Sequence, residues 1–408
     1  MKVGYGETTR YICMFQPTRA AAYEALHDFL PNAGSAYAES RNADHGPDRH
    51  QNVSTLSPWI RTRTITEWEV LGSVLEQHPD KAASKFIDEI CWRTYWKGWL
   101  QLRPSVWDDY LHTRAQLLEA YSNNPGYVKA VSGQTGIDCF DAWAHELIET
   151  GYLHNHARMW AASIWIHTLK LPWELGADWF LRQLLDGDAA SNTLSWRWVA
   201  GLHTRGKSYL ATAGNIKKYT SGRFAVDVRL ATEPVPVPEN RPPSIRPLPD
   251  FKEPTPDGKT GLLVTEDDVS AARWLPGRFP VDAVAGFLPA PEYTKLGIGK
   301  RVVDFRRACL REQCGEDLLE SMESLINWCK EKNLRTVLMA EPPVGFWSPV
   351  MQRLAAKLDQ EGIARSLQRH WWDETLYPRA THGFFRFKQA IPAVIQKLGE
   401  QTRISSHA

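Results

Sequence analysis

The sequence predicts a multi-domain protein of α and α/β class, an all-helical domain followed by a Rossmann-like parallel α/β domain. Three observations lead there. The chain has 408 residues, too many for one ordinary hydrophobic core. Residues up to about 225 read as helical segments joined by short loops. Past a proline-dense stretch at 233–256, short apolar runs alternate with helical ones, the pattern of parallel strands joined by crossover helices. The boundaries so drawn are 1–230 for the helical domain, 231–258 for a linker and 259–408 for the α/β domain.

Taken in order, 20–29 is a short amphipathic helix broken at Pro31 and Gly34. Residues 37–53 are polar, contain Gly46 and Pro47, and read as a loop. Ser57 at the cap position and Pro58 in the first turn open a helix running through Leu71. Over 81–102 Phe86, Ile90 and Trp99 recur at helical spacing until Pro104 stops the run. Helices over 138–150 and 155–171 are parted by Gly151. Another, over 174–185, ends at Asp186-Gly187-Asp188, and a short one covers 192–199.

The stretch at 233–256 is too rich in proline for helix or central strand and reads as an extended linker or surface strap. Strands are expected at 261–265, 282–287, 335–339 and 364–368, with helices over 300–311, 317–332, 348–360 and 385–398. The GIGK stretch at 297–300 lacks the spacing of a phosphate-binding loop.

Composition narrows the function classes. A net charge of +1 gives no overall pull towards nucleic acid or membrane, so any DNA contact must come from a local surface. The six cysteines, Cys13, Cys91, Cys139, Cys309, Cys314 and Cys329, form no CxxC pair. A zinc knuckle or iron–sulfur cluster therefore lacks its ligand spacing, and no metal is expected. Free thiols without a signal peptide point to the cytoplasm, and no apolar run approaches membrane-spanning length. Nothing in the sequence signals an oligomeric state. The anomaly is tryptophan: 13 of 18 copies lie between Trp59 and Trp198. On composition alone, a Trp-rich core is a better reading than rings placed for stacking or electron transfer.

The informative block is GQTG at 133–136, Asp141-Ala142, TGYLHNHARM at 150–159, DGDAASN at 186–192 and WRW at 196–198. Single pieces are weak signals, but the ordered set is specific. It resembles the FAD-binding domain of DNA photolyases and cryptochromes, with matching intervals over 150–163 and 173–198. Asn155, Arg158 and Met159 share one helix face by their spacing.

The resemblance implies FAD as cofactor and assigns roles residue by residue. Arg158 would pair with Asp186 beside the isoalloxazine ring, Asp188 would contact the pyrimidine edge, and Asn192 would face N5. Tyr37 and Arg41 in YAESRN look like the family's YxxxRD, near the FAD phosphates, with Asn42 replacing the final Asp. Ser54, Thr55, Leu56 and Ser57 look like its TSRLSP diphosphate segment, with Val53 and Thr55 departing from the pattern. A helix start suits that anion. Glu89 and Trp92 match the ExxW of enzymes that repair cyclobutane pyrimidine dimers. With Asn155, Met159 and Trp198 they would form the lesion pocket, where stacking compensates for extracting a lesion from the duplex. Trp196 and Trp173 match the first two members of the electron-donating tryptophan chain. The third falls in the poorly matched stretch from Trp107 to Tyr121. Thr94 and His156 replace residues the family uses differently, and His156 removes one expected phosphate contact.

Photolyases carry an α/β antenna domain in front of the helical one, whereas here the α/β domain follows. Its end, ETLYPRATHGFFRFKQAIP at 374–392, is loosely similar to the segment that closes the antenna domain, which implies a circular permutation. The rival reading is an unrelated α/β domain. A second, antenna chromophore is possible and unassigned. The implied function is that of a deoxyribodipyrimidine photo-lyase acting on dimer-containing DNA. The alternative is a cryptochrome-like blue-light receptor.

Overall fold

In the computed structural model, the described residues are 15–204, 206–238, 242–253 and 258–405. From Arg19 to Tyr219 the regular elements among the described residues are helical. Helices Arg19–Phe29, Asp80–Gln101, Asp138–Thr150, Trp173–Gln183 and Ala189–Val199 lie where periodicity places them. Four more, Ser35–Ser40, Ser105–Tyr121, Pro125–Val131 and Ala213–Tyr219, belong to the same domain, the first reaching into the stretch expected to be loop.

Three expected helices are interrupted. The run from Ser57 to Leu71 is helix Ser57–Thr62, a turn, and helix Glu67–Gln77. Arg63 adopts a left-handed φ of 55°, which ends a helix. Thr66 then starts the next helix with a capping box closed by Glu69. The run from 155 is α-helical only to Ser163, then widens into a π turn over Ile164–Thr168. At the far end, 385–398 is helix Phe384–Phe387, a 3-10 turn and helix Ile391–Ser405. Pro392 starts that last helix, because in a continuous one its ring would clash with the carbonyl four residues back.

The α/β domain holds five parallel strands: β1 Lys259–Thr265, β2 Ala283–Phe287, β3 Leu318–Leu319, β4 Leu334–Ala340 and β5 Ala364–Gln368. Their order is β3-β2-β1-β4-β5. In β1 only Lys259 is exposed, as expected of a parallel strand covered on both faces. The two-residue β3 occupies ground that the sequence pattern assigns to a helix over 317–332. That helix starts instead at Met322, where Ser321 and Ser324 cap each other.

The two domains meet through buried charge. Arg63 donates two hydrogen bonds to the Asp373 carboxylate, each of 2.7 Å, and reaches Asp268 at 3.1 Å. Arg61 pairs with Asp267 at 2.5 Å. Where described, the proline-rich segment is neither helix nor strand. It straps both domains, since Arg246 N–H donates to the Leu102 carbonyl and Gln368 donates to that of Lys252. The described cysteines are free thiols, and Cys13 lies outside the described residues. Among the described residues no helix is long and apolar enough to cross a membrane, and no cluster of metal-ligating side chains occurs.

Candidate functional site

A cavity of about 700 Å³ opens in the helical domain, within the range of pockets that bury a large ligand. Its wall brings together Tyr37, Ser54, Thr55, Leu56, Ser57, Glu89, Trp92, Asn155, Arg158, Met159, Asp186, Asn192, Trp196 and Trp198. Asp188 and Trp173 are not on that wall.

The charged centre is Arg158 with Asp186. Helix Asn155–Ser163 projects the guanidinium, whose Nη1 reaches the two carboxylate oxygens at 3.0 and 2.9 Å. Its Nε donates to the Leu153 carbonyl at 2.7 Å, which fixes the plane of the fork. Burial works against the Asp186 charge, but Arg158, Arg93 and the Ser57 hydroxyl outweigh it and hold the carboxyl below its ordinary range. Asn192, buried one turn into its helix, donates from its amide to the Ala177 carbonyl at 2.7 Å, so its side chain is oriented before any ligand arrives.

Asp188 stands just behind the cavity wall rather than on it. One carboxylate oxygen accepts from Ser191 N–H at 2.7 Å as the cap of helix Ala189–Val199, and the other pairs with Arg93 at 2.5 Å. Both partners, Ser191 and Arg93, line the cavity. Arg93 is the side chain at the wall in its place, linking Asp188 with Asp186. It stands beside Trp92 in the sequence, but its role depends on a fold that brings residues 93 and 188 together.

Beside Asp186, Ser54–Leu56 leads into the six-residue helix Ser57–Thr62, which has no side-chain cap at its start. Thr55 holds a left-handed φ of 51°. Tyr37 packs edge-on against Phe29 and Phe86 with centroids 5.8 and 5.2 Å away. Arg41 is ion-paired with Glu89. Burial raises the Glu89 pKa and Arg41 opposes the rise. Burial also pushes His156 down to about 4, so this ring is neutral near pH 7.

The aromatic members differ in setting. Trp92 is stacked on Phe384 of the second domain, centroids 3.8 Å apart and planes 10° apart. Trp198 stacks with Tyr209 at 5.5 Å. Trp196 meets Phe180 and Trp165 edge-on at 5.0 and 6.1 Å. Gly176 is required there, because a Cβ would lie 2.3 Å from the Trp196 ring and 3.0 Å from Trp165. Trp173 is buried beside Tyr110, at 5.9 Å. Gly383, Phe384 and Phe385, from the far end of the chain, also line the cavity; no motif of the helical domain points to them.

The residues present fit a flavin dinucleotide. Cations, hydroxyls and an aromatic wall converge on a single space. The Ser191 hydroxyl and His154 Nε2, both buried and on residues lining it, have no hydrogen-bond partner within the protein, which leaves polar groups for a ligand to satisfy.

A family model described as the FAD binding domain of DNA photolyase matches residues 86–223. Over those residues the helical domain is similar to the FAD-binding domain of the photolyase/cryptochrome family. FAD is the cofactor of that fold. Among photolyase relatives, the deoxyribodipyrimidine photo-lyase of Escherichia coli is 28% identical over 208 residues, covering 48% of this chain and 42% of its own. That of Streptomyces griseus is 35% identical over 159 residues, covering 37% of this chain and 33% of its own. The chain thus spans less than half the length of these photolyases. A class III photolyase structure from Agrobacterium tumefaciens aligns with a TM-score of 0.45 at 25% identity, over 54% of this chain and 46% of that one.

Proposed function

We propose that this protein is a light-dependent DNA repair enzyme that splits cyclobutane pyrimidine dimers, with FAD as its photochemical cofactor. One observation carries the reading: Glu89, Trp92, Asn155, Met159 and Trp198 share a single cavity with the Arg158–Asp186 pair. Bound there, reduced FAD would supply the electron that splits the dimer when excited by light. The chain's own residues do the rest. Arg158 and Asp186 orient the cofactor, and Asn192 presents a fixed amide to it. Trp92 and Trp198 supply aromatic surface for an extruded base. Glu89, buried and with a raised pKa, stands where a pyrimidine carbonyl would need a hydrogen-bond partner. Trp196, on the cavity wall, would donate electrons to the cofactor, with Trp173 behind it.

A second reading, a blue-light receptor of cryptochrome type, draws on the Glu89–Arg41 ion pair. That pair ties up the side chain a lesion would need. The test is direct: purified FAD-loaded protein, reduced, is mixed with dimer-containing oligonucleotide and illuminated with blue light, and restored thymines are counted. Repair is expected, and it should fall sharply in Trp92→Ala. Full FAD occupancy with no restored thymine would eliminate the repair reading in favour of the receptor.

A further inference from the structure

Phe385 is 86% exposed, the most exposed of the large hydrophobic side chains described, and it lies on the rim of the FAD cavity. Its neighbour Phe384 is buried and stacked on Trp92 at 3.8 Å. Adjacent side chains therefore differ completely in setting, one locked against the proposed lesion platform and the other held out into water. A lone exposed aromatic needs no explanation in general. This one is placed by a rigid stack beside a cavity mouth, and the exposed cations Arg379 and Arg386 flank it in the chain. Arg386 is steadied by His382 at 3.1 Å. The Phe385 backbone belongs to the short helix Phe384–Phe387.

We propose that Phe385 is a wedge for nucleic acid. When a damaged pair of bases leaves the duplex for the cavity, a gap opens in the stack, and Phe385 fills it by stacking on the base that borders the gap. Arg379 and Arg386 meet the adjacent phosphates. The chemistry that recognises the partner is a π-face next to a backbone anion, which is DNA with an unpaired or extruded base. Apolar side chains inserted between base steps and bases stacked on aromatic rings are established ways of holding distorted DNA. The second domain thus contributes to recognition directly, which the helical domain's motifs do not provide. This inference rests on the repair reading above.

The experiment measures binding of the FAD-loaded protein to a duplex carrying one thymine dimer and to the same duplex undamaged, for wild type, Phe385→Ala and Phe385→Trp. Stacking of one base on one ring predicts a loss of about 10-fold in dimer affinity for the alanine variant. The tryptophan variant should bind the dimer like wild type, and the undamaged duplex, held through its phosphates, should bind equally to all three. Equal dimer binding by wild type and Phe385→Ala would overturn the wedge and leave the repair reading standing. A parallel loss on both duplexes would also overturn it, by making Phe385 a general contact. A wild type that does not prefer the damaged duplex would instead overturn the repair reading, and the wedge with it.

Discussion

Replacing Glu266 by Gln should make the protein more stable, and only above mildly acidic pH. Glu266 follows β1, where the α/β sheet meets the helical domain, and is fully buried. One carboxyl oxygen accepts from Tyr293 O–H and from Trp347 Nε1 at 3.1 Å, and the other has no partner. Burial, and next the charge of Asp267, push its pKa from 4.5 up to about 7, against the pull of Arg61. The folded protein therefore keeps a proton that the unfolded chain releases above 4.5. Stability is complete below that value and declines as pH rises towards 7. At ~1.4 kcal/mol per unit, the shift corresponds to at most about 3 kcal/mol. Glutamine mimics the neutral carboxyl and does not titrate. Thermal or urea unfolding of both proteins should coincide near about pH 4.5 and separate by up to about 3 kcal/mol at about pH 8, with Glu266→Gln the more stable. A separation that is constant with pH, or that opens on the acid side, would refute the reasoning.

Two further outcomes concern the cofactor directly. Asp186→Asn leaves the Arg158 charge without its carboxylate in a largely buried setting. It should cost about 3 kcal/mol of stability, discounted because Arg158 is partly exposed, and reduce the FAD retained through gel filtration. Because the Asp186 pKa lies below 3.8 in the fold, its contribution is present above that pH and lost as pH falls further. Retention of full FAD by the variant would remove Asp186 from the site. Trp196→Phe keeps an aromatic ring on the cavity wall but replaces an indole by a ring much harder to oxidise. Photoreduction of bound FAD, followed by absorbance under blue light, should slow markedly. An unchanged rate would exclude Trp196 as the donor.

Much of the helical domain was legible because its motifs coincide with helix ends. Asp188 of DGD caps helix Ala189–Val199, and Gly151 ends Asp138–Thr150 with a φ of 71°. Local chemistry of that kind is written in neighbouring residues. The break at Arg63 was only partly legible. The Thr66–Glu69 capping box marks a new helix start three residues on, but the left-handed turn is held by partners of the Arg63 guanidinium that include Asp268 and Asp373, some 200 and 300 positions away. The same limit applies to Asp188. Its sequence position matches a cofactor contact, but does not show that its side chain also pairs with Arg93 while capping its own helix. Phe384 was invisible for the converse reason, since an ordinary hydrophobic residue in a C-terminal segment gains its meaning only by landing on Trp92.

The domain interface explains how a second domain can matter to the flavin loop without touching the cavity there. Gly187 lies between Asp186 and Asp188, and its carbonyl accepts from Arg61 Nε at 3.0 Å and from Arg306 Nη2 at 2.6 Å. Arg61 belongs to the helical domain, and Arg306 to helix Lys300–Cys314 of the α/β domain. Arg306 is fully buried, held over the rings of Tyr293 and Phe346 at 5.2 and 5.5 Å. Two guanidinium groups on one carbonyl repel each other unless an acidic group offsets them, and Asp267 is ion-paired with Arg61. The loop that presents Asp186 is therefore fixed by a charge cluster drawn from both domains. This dependence follows from which side chains meet, not from which domain comes first in the chain, so the helical-first order is compatible with an ordinary flavin site.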